Sequence, residues 1–228
     1  MTAPHHTGRA PLSTADSRRA VLFDLDGTLI DSIGLIVAAF KHAFDAYEGD
    51  RPDEAELIQG IGTPLVKQLA RYARSDDELT MLRDRYRAYQ VLNHDRMVRA
   101  FPGAVELVTE LRDGGVALGV VTSKGEEFAR RGLALAGFGD LLELVIGVDS
   151  TVNHKPHPEP VLLALQRLAV GAAQATFVGD SPHDVASGNA AGVRTIGVLW
   201  GPYSRAELEA ASPTLICGTM EELGAHCR

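Results

Sequence analysis

The sequence predicts an α/β fold, a Rossmann-like parallel-sheet core domain with an inserted α-helical cap domain, on three observations. Apolar runs short enough to be buried strands end in turns rich in acids, hydroxyls or glycine. From residue 101 onward these runs alternate with helical patterns of about 10–15 residues, which implies right-handed βαβ units and a parallel sheet. Between the first run and residue 101 lie roughly seventy residues of helical periodicity, too many for a βα loop.

Residues 1–19 read as a disordered leader. Pro4, His5, His6, Gly8, Pro11 and Ser13 supply no apolar h-region, so a secretory signal is not expected. The first strand is Ala20-Val21-Leu22-Phe23, and Gly27-Thr28 marks the turn behind it. Residues 20–30 and 101–228 are assigned to the core and 31–100 to the cap. Within the cap, Ile33, Ile36, Val37, Phe40, Phe44 and Tyr47 form one amphipathic stripe that Gly49-Asp50-Arg51-Pro52 ends. The loop Gly60-Ile61-Gly62-Thr63-Pro64 separates a short helix from another beginning near Leu65. Ser75-Asp76-Asp77-Glu78 reads as a capping box for a helix carrying Leu79, Leu82, Tyr86 and Tyr89 on one face. In the core, Val116–Val121, Leu144–Val148, Thr176–Gly179 and Val193–Leu199 bring the count to about five strands. Of the helices between them, one carries Phe128 and Leu135 and stops at Gly137. Another carries Val161, Leu162, Leu165, Leu168 and Ala169 before Gly171, and a third ends at Gly192.

A chain of 228 residues with 45% hydrophobic and 23% charged residues has the composition of a soluble globular protein. No apolar stretch approaches the roughly 18 residues a membrane helix needs. The net charge of −8, with no basic run, gives nucleic-acid binding no support. Cys217 and Cys227 have no ligand cluster around them, which points to free thiols in a reducing, cytoplasmic setting. The expected partner is a small phosphate ester, and the chain is expected to be a monomer or homodimer.

Sites in parallel α/β sheets lie at the carboxyl ends of the strands. Read in order, those ends give Asp24-Leu25-Asp26, then Thr122-Ser123-Lys124, then His154-Lys155-Pro156, then Asp180-Ser181-Pro182-His183-Asp184. Spacing of two would put the Asp24 and Asp26 side chains on one side if the extended geometry runs through Asp26. Four carboxylates, the hydroxyl pair Thr122-Ser123 and Lys155 suit phosphoryl transfer through an aspartyl phosphate. Because a carboxylate attacking a phosphate dianion is repelled, a cation must bridge them, and Mg²⁺ with oxygen ligands from Asp24 and Asp180 fits. Thr122 and Lys155 can balance the phosphoryl charge, and Asp26 can serve as acid and then base. Asp184 is also placed to cap the following helix or to pair with Lys155. His154, His157 and His183 are scattered on loops, and the oxygen-rich set favours a hard cation over zinc.

These residues resemble the haloacid dehalogenase superfamily, specifically its phosphatases with a helical cap after the first strand. The resemblance covers roughly residues 20–200 and rests on DLDGTL at 24–29, VVTSK at 120–124, HKPHPEP at 154–160 and GDSPHD at 179–184. It implies Asp24 as nucleophile and Asp26 as general acid/base, with Asp26 lending only its backbone carbonyl to the metal. It implies Thr122 and Ser123 as phosphate binders, Lys155 as charge balance, Asp180 as metal ligand and Asp184 as an outer or water-mediated one. An Asp at position 26 is absent from the dehalogenases and phosphonate hydrolases of the superfamily. Gly62-Thr63-Pro64 becomes a candidate specificity loop, while Lys67 and Arg71 could face substrate or solvent. Asn93-His94-Asp95 before Phe101-Pro102-Gly103, with 154–160 and Trp200-Gly201, looks most like the phosphoglycolate phosphatase and pyrophosphatase branch.

The resulting expectation is a Mg²⁺-dependent phosphatase acting on a small phosphorylated metabolite of the phosphoglycolate kind. An inorganic pyrophosphatase, or a phosphomutase like β-phosphoglucomutase, shares the motifs. The apolar Ile33-Gly34-Leu35 after Asp31-Ser32, where the mutases carry a His-containing stretch, favours hydrolysis. A phospho-accepting signalling domain would lack the insertion and carry its acceptor on a middle strand in chain order.

Overall fold

The computed structural model describes residues 18–228, so the leader expected over residues 1–17 lies outside the described residues. Arg18 and Arg19, counted in that leader, are tied down. The Arg18 guanidinium pairs with Glu143 at 2.7 Å, and the Arg19 carbonyl accepts from the Ala117 amide at 2.9 Å.

Strand β1 (Ala20–Phe23) lies inside a sheet whose order is β5-β4-β1-β6-β7-β8, with every pairing parallel. Its neighbours are β4 (Ala117–Val121) and β6 (Ala175–Gly179); beyond them lie β5 (Leu144–Ile146), β7 (Arg194–Val198) and β8 (Leu215–Cys217). The chain builds outward from β1 first through β4 and β5, then on the other side through β6, β7 and β8. Strand order therefore reverses beside β1, which opens a crevice at the carboxyl ends of the central strands.

Alternation along β1 feeds two cores. Val21 and Phe23 join Leu107, Leu111, Leu133 and Leu223 from α5 (Ala104–Asp113), α6 (Glu126–Leu135) and α10 (Met220–Cys227). Ala20 and Leu22 face the opposite way, onto Val161, Leu165 and Leu168 of α7 (Glu159–Leu168). The remaining core helices are α8 (Pro182–Ala190) and α9 (Arg205–Ala210).

The helical segment consists of α1 (Ile33–Phe44), α2 (Glu54–Gly60), α3 (Leu65–Leu69) and α4 (Asp76–Met97). It has its own apolar cluster, built on Phe40, Phe44, Leu57, Leu69 and Leu82. Where the chain leaves for these helices and returns, β2 (Ile30–Asp31) and β3 (Arg99–Ala100) pair antiparallel, Ile30 with Ala100 and Asp31 with Arg99.

Several elements differ from the sequence reading. The sheet has six strands, because β8 adds an edge strand too short to show alternation. The strand expected to reach Val148 ends at Ile146, and a 3₁₀ turn begins at Val148. Helix α1 stops at Phe44, yet Tyr47 stays buried and donates its hydroxyl toward the Tyr72 carbonyl and the Glu78 carboxylate. The expected capping box at Ser75 is only half made. Ser75 accepts from the Glu78 amide, but the Glu78 carboxylate is taken by Arg74 and Tyr47. In α6 the buried face is Ala129, Gly132 and Leu133, whereas Leu135 is exposed and Phe128 lines a cavity.

That last register is testable. Leu133→Ala should destabilise the fold by roughly 2–5 kcal/mol, the range for emptying a buried leucine site. Leu135→Ala should cost less than about 0.5 kcal/mol, as at other exposed positions. Urea unfolding of both variants checks it, and equal losses would contradict the assignment of the faces.

Candidate active site

The β1 ladder continues one bond past its end, with the Asp24 amide donating to the Val178 carbonyl at 2.8 Å. The chain then bends at Leu25, whose carbonyl accepts from the Leu29 and Ile30 amides at 3.0 Å, and Gly27 takes up φ +87°. Extended geometry does not run through Asp26, so the same-side alignment expected from spacing gives way to a tight turn. Both acids nevertheless line one cavity of about 640 Å³ between the sheet edge and the helical segment.

Lys155 organises the floor of this site. Its ammonium is buried and donates to Asp24 Oδ1 at 2.7 Å, to Asp184 Oδ1, and to the Val121 carbonyl at 3.3 Å. Burial alone would lower its pKa, but Asp184 and Asp24 hold it above the ordinary lysine value. Asp24 is pushed up to about 7, by burial first, against the pull of Lys155 and with a further push from Asp184. Asp180 is raised well above the usual carboxylate range by burial, then by Asp184 and Asp24. Three buried carboxylates thus face a single ammonium, an imbalance that a divalent cation would correct.

Local structure supports such a cation. One oxygen each from Asp24, Asp180 and Asp184 lie within 4.8 Å of one another. Asp180 Oδ1 accepts from the Thr28 hydroxyl at 2.9 Å, whereas the buried Oδ2 has no partner. A Cβ added at Gly27 or Gly201 would fall 2.4 Å from that orphan oxygen, so both glycines leave it room. An all-oxygen donor set suits Mg²⁺. Asp184 is otherwise occupied: Oδ1 takes Lys155, and Oδ2 takes the Ser181 hydroxyl at 2.6 Å and the Ser181 amide at 3.1 Å. It therefore both pairs with Lys155 and completes a capping box at the start of α8.

The Asp26 carboxylate is not in this trio. Its Oδ1 accepts from the Lys124 ammonium at 2.6 Å and from the Ser32 hydroxyl. Oδ2 has no side-chain donor among the described residues. Thr122 is buried on the cavity wall, and its Oγ1 accepts from the Lys124 amide at 3.2 Å, which leaves the hydroxyl proton for a ligand. Ser123 behaves differently, because its hydroxyl donates to the Gly62 carbonyl at 2.6 Å. Gly62 and Thr63 line the cavity, with the Thr63 hydroxyl turned onto the Gly60 carbonyl at 2.7 Å. Lys67 also lines it and Arg71 does not. His154 lines the cavity too, but among the described residues the acidic metal-type cluster holds no histidine.

Sequence reasoning missed Thr28, Ser32, Lys124, Arg87 and Tyr203. Thr28 and Lys124 sit inside motifs already singled out, so the signal was present. Arg87, on a helix, lines the cavity, and Tyr203, in a loop, reaches the Gln59 and Ile61 carbonyls; both are remote in sequence from the motifs, and only the fold brings them there.

A family model described as haloacid dehalogenase-like hydrolase matches residues 21–198. The chain belongs to that family. The chain is 37% identical over 205 residues to pyrophosphatase PpaX of Bacillus velezensis, covering 90% of this chain and 94% of that protein. It is 34% identical to pyrophosphatase PpaX of Oceanobacillus iheyensis, over 91% of this chain and 95% of that one. Among solved structures, a hydrolase from Pseudomonas syringae superposes with a TM-score of 0.81 at 27% identity, covering 92% of this chain and 97% of that one. No helix among the described residues is long and apolar enough to cross a membrane, and both cysteines are buried and free.

The electrostatics predict how a cation shifts stability with pH. Asp24 and Asp180 titrate higher folded than unfolded. Above their unfolded values the folded chain therefore holds extra protons, and their contribution to stability falls as pH rises, for Asp24 through about 7. A cation competes with those protons. The Mg²⁺-induced rise in Tm should therefore be larger at pH 7.5 than at pH 5, and Asp180→Asn should remove most of it. Burial holds His94 and His183 below the ordinary histidine value, so they change the absolute Tm with the opposite sign, and the quantity to compare is the Mg²⁺ increment at each pH rather than the absolute Tm. Scanning fluorimetry with chelator or Mg²⁺ measures it, and an increment independent of pH would refute the proton–cation competition.

Proposed function

We propose that this chain is a Mg²⁺-dependent phosphatase that hydrolyses a small phosphorylated metabolite through an aspartyl phosphate on Asp24. The observation that carries the reading is the buried Asp24 carboxylate, held by Lys155 beside the unpartnered oxygen of Asp180 and open to a lidded cavity. Asp24 and Asp180 would hold the ion, with Asp184 behind them fixing Lys155, and the bound ion would offset the charge of the phosphoryl group.

In the first step an Asp24 carboxylate oxygen attacks phosphorus and the bond to the leaving oxygen breaks. Asp26 gives its Oδ2 proton to that oxygen, while Lys124 and Ser32 hold Oδ1 and so fix the carboxyl plane. In the second step the Asp26 carboxylate takes a proton from water, water oxygen bonds to phosphorus, and the bond to Asp24 breaks. Inorganic phosphate leaves and both acids return to their starting state. Thr122 donates to a phosphoryl oxygen throughout. Residues 31–100 serve as the lid, with Gly62, Thr63 and Lys67 facing the leaving group.

Pyrophosphate is the second reading. It is favoured by relatives named pyrophosphatase that match over nearly their whole length, and by Lys67 and Arg87 on the cavity wall. Phosphoglycolate, sugar phosphates and pyrophosphate compared by kcat/KM with Mg²⁺ decide between the two readings. Activity should vanish in chelator and return with Mg²⁺, and Ca²⁺, content with seven or eight ligands, should inhibit. Full turnover in chelator would sink the mechanism.

The two acids should separate in single-turnover experiments. Asp24→Asn should abolish phosphoenzyme formation. Asp26→Asn should still be phosphorylated by esters with good leaving groups, yet lose its phosphate about 10²–10⁴-fold more slowly, the usual worth of general acid/base help. Equal loss of both half-reactions in the two variants would reverse the assigned roles.

A further inference from the structure

We propose that Tyr203 is a positioning residue, the core-side latch that holds residues 59–63, the end of α2 and the loop that follows it, over the cavity. Its hydroxyl shares one proton between the Gln59 carbonyl at 2.7 Å and the Ile61 carbonyl at 2.9 Å. The side chain is 7% exposed and its ring packs on Val185 and Leu208. Burial pushes the phenol upward, so it stays a donor at any working pH.

What makes this contact more than packing is what Tyr203 is built into. Trp200 donates its indole N–H to the Thr28 carbonyl at 3.0 Å, and the Thr28 hydroxyl donates to Asp180. Gly201 lies against the Asp180 carboxylate, and Val185, beneath the Tyr203 ring, follows Asp184 in sequence. Three of the four residues 200–203 (Trp200, Gly201 and Tyr203) thus touch the turn after Asp24, the orphaned acid and the lid loop. Ser123, on the cavity wall, donates its hydroxyl to the Gly62 carbonyl, so the loop is tied to the core by two side chains. The ties are hydrogen bonds from core hydroxyls to lid carbonyls, the kind of contact that can be made and broken as a lid moves. Residues 59–63 include Gly62 and Thr63, so their seating on Tyr203 sets how the leaving group is met.

The kinetic part of this inference rests on the phosphatase reading; the exchange part does not. Tyr203→Phe keeps the ring and removes the hydroxyl. In the full chain with Mg²⁺, amide exchange over residues 57–68 should quicken about 3- to 10-fold, the range for losing one net hydrogen bond, with β1, β4 and β6 unchanged. KM for the preferred metabolite should rise by a similar factor, while kcat/KM for p-nitrophenyl phosphate, which needs little from the lid, changes less than about twofold. Unchanged exchange over 57–68, or faster exchange spread evenly into the core strands, overturns the latch. Equal losses on both esters, or none on either, overturn the positioning role. Should Tyr203→Phe fail to fold, Tyr203→Met, which fills the space with a flexible apolar chain, is measured in the same way and held to the same outcomes. If no phosphate ester is turned over, the phosphatase reading fails while the exchange result still judges the latch.

Discussion

Burying the Lys155 ammonium is possible because its three protons meet three acceptors: the carboxylates of Asp24 and Asp184 and the carbonyl of Val121. Each partner comes from a different part of the sheet edge: the end of β1, the last residue of β4 and the first turn of α8. One side chain therefore fixes the relative position of three elements and holds the Asp24 carboxylate in place. The cost falls on the acids. With Asp180 also buried nearby, the negative charge exceeds what one lysine balances, and the carboxyls bind protons unusually well when no other cation is present. The same imbalance that weakens the bare site makes it receptive to a divalent ion.

Around that centre, local folding and site geometry are served by the same atoms. Ser181 and Asp184 form the reciprocal capping box that starts α8, and the remaining Asp184 oxygen faces Lys155. Thr28 lies in the turn that ends β1, and its hydroxyl orients Asp180. Lys124 and Ser32 approach the same oxygen of Asp26 from the core and from the residue that precedes α1. A substitution at Ser181 or Asp184 would disturb a helix start as well as the charge arrangement. That is the sense in which the site is preorganised.

The parallel sheet and the four strand-end clusters were legible because strand exits in α/β folds carry their chemistry in short contiguous motifs. Asp24, Thr122, Lys155, Asp180 and Asp184 all converge on one edge from their sequence positions alone. What stayed hidden depends on three-dimensional pairing. β8 is three residues long and β2 and β3 two each, too short for any periodic signal. The commitments of Ser123 to Gly62, of Glu78 to Arg74 and Tyr47, and of Tyr203 to the lid loop are contacts with backbone or distant side chains that no local pattern encodes. Phe128 shows a limit of reading helices by hydrophobicity. An apolar residue on an amphipathic helix reads as core, yet this one belongs to a ligand-sized cavity wall.

The way the helical segment meets the core supports a lid. Its apolar cluster, from Ile36 to Leu82, is separate from those of the sheet, and Ile36, Phe40 and Ile61 of that cluster also line the cavity. At its base the β2–β3 pairing and an ion pair from Asp95 on α4 to Arg131 on α6 anchor it, with His94 buried beside Gly132. At its rim the hydroxyl ties to the core come from Ser123 and Tyr203. Hydrogen bonds of that kind contribute about 0.5–1.5 kcal/mol each net of water. On the proposed reading, closure held by so few of them lies within reach of what a bound phosphate ester can add, since a population shift of that size needs only modest differential affinity. A base fixed by pairing and packing, and a rim fixed by exchangeable hydrogen bonds, is the mechanical arrangement the proposed mechanism calls for, in which Asp24 is shielded during phosphoryl transfer and then reached by water.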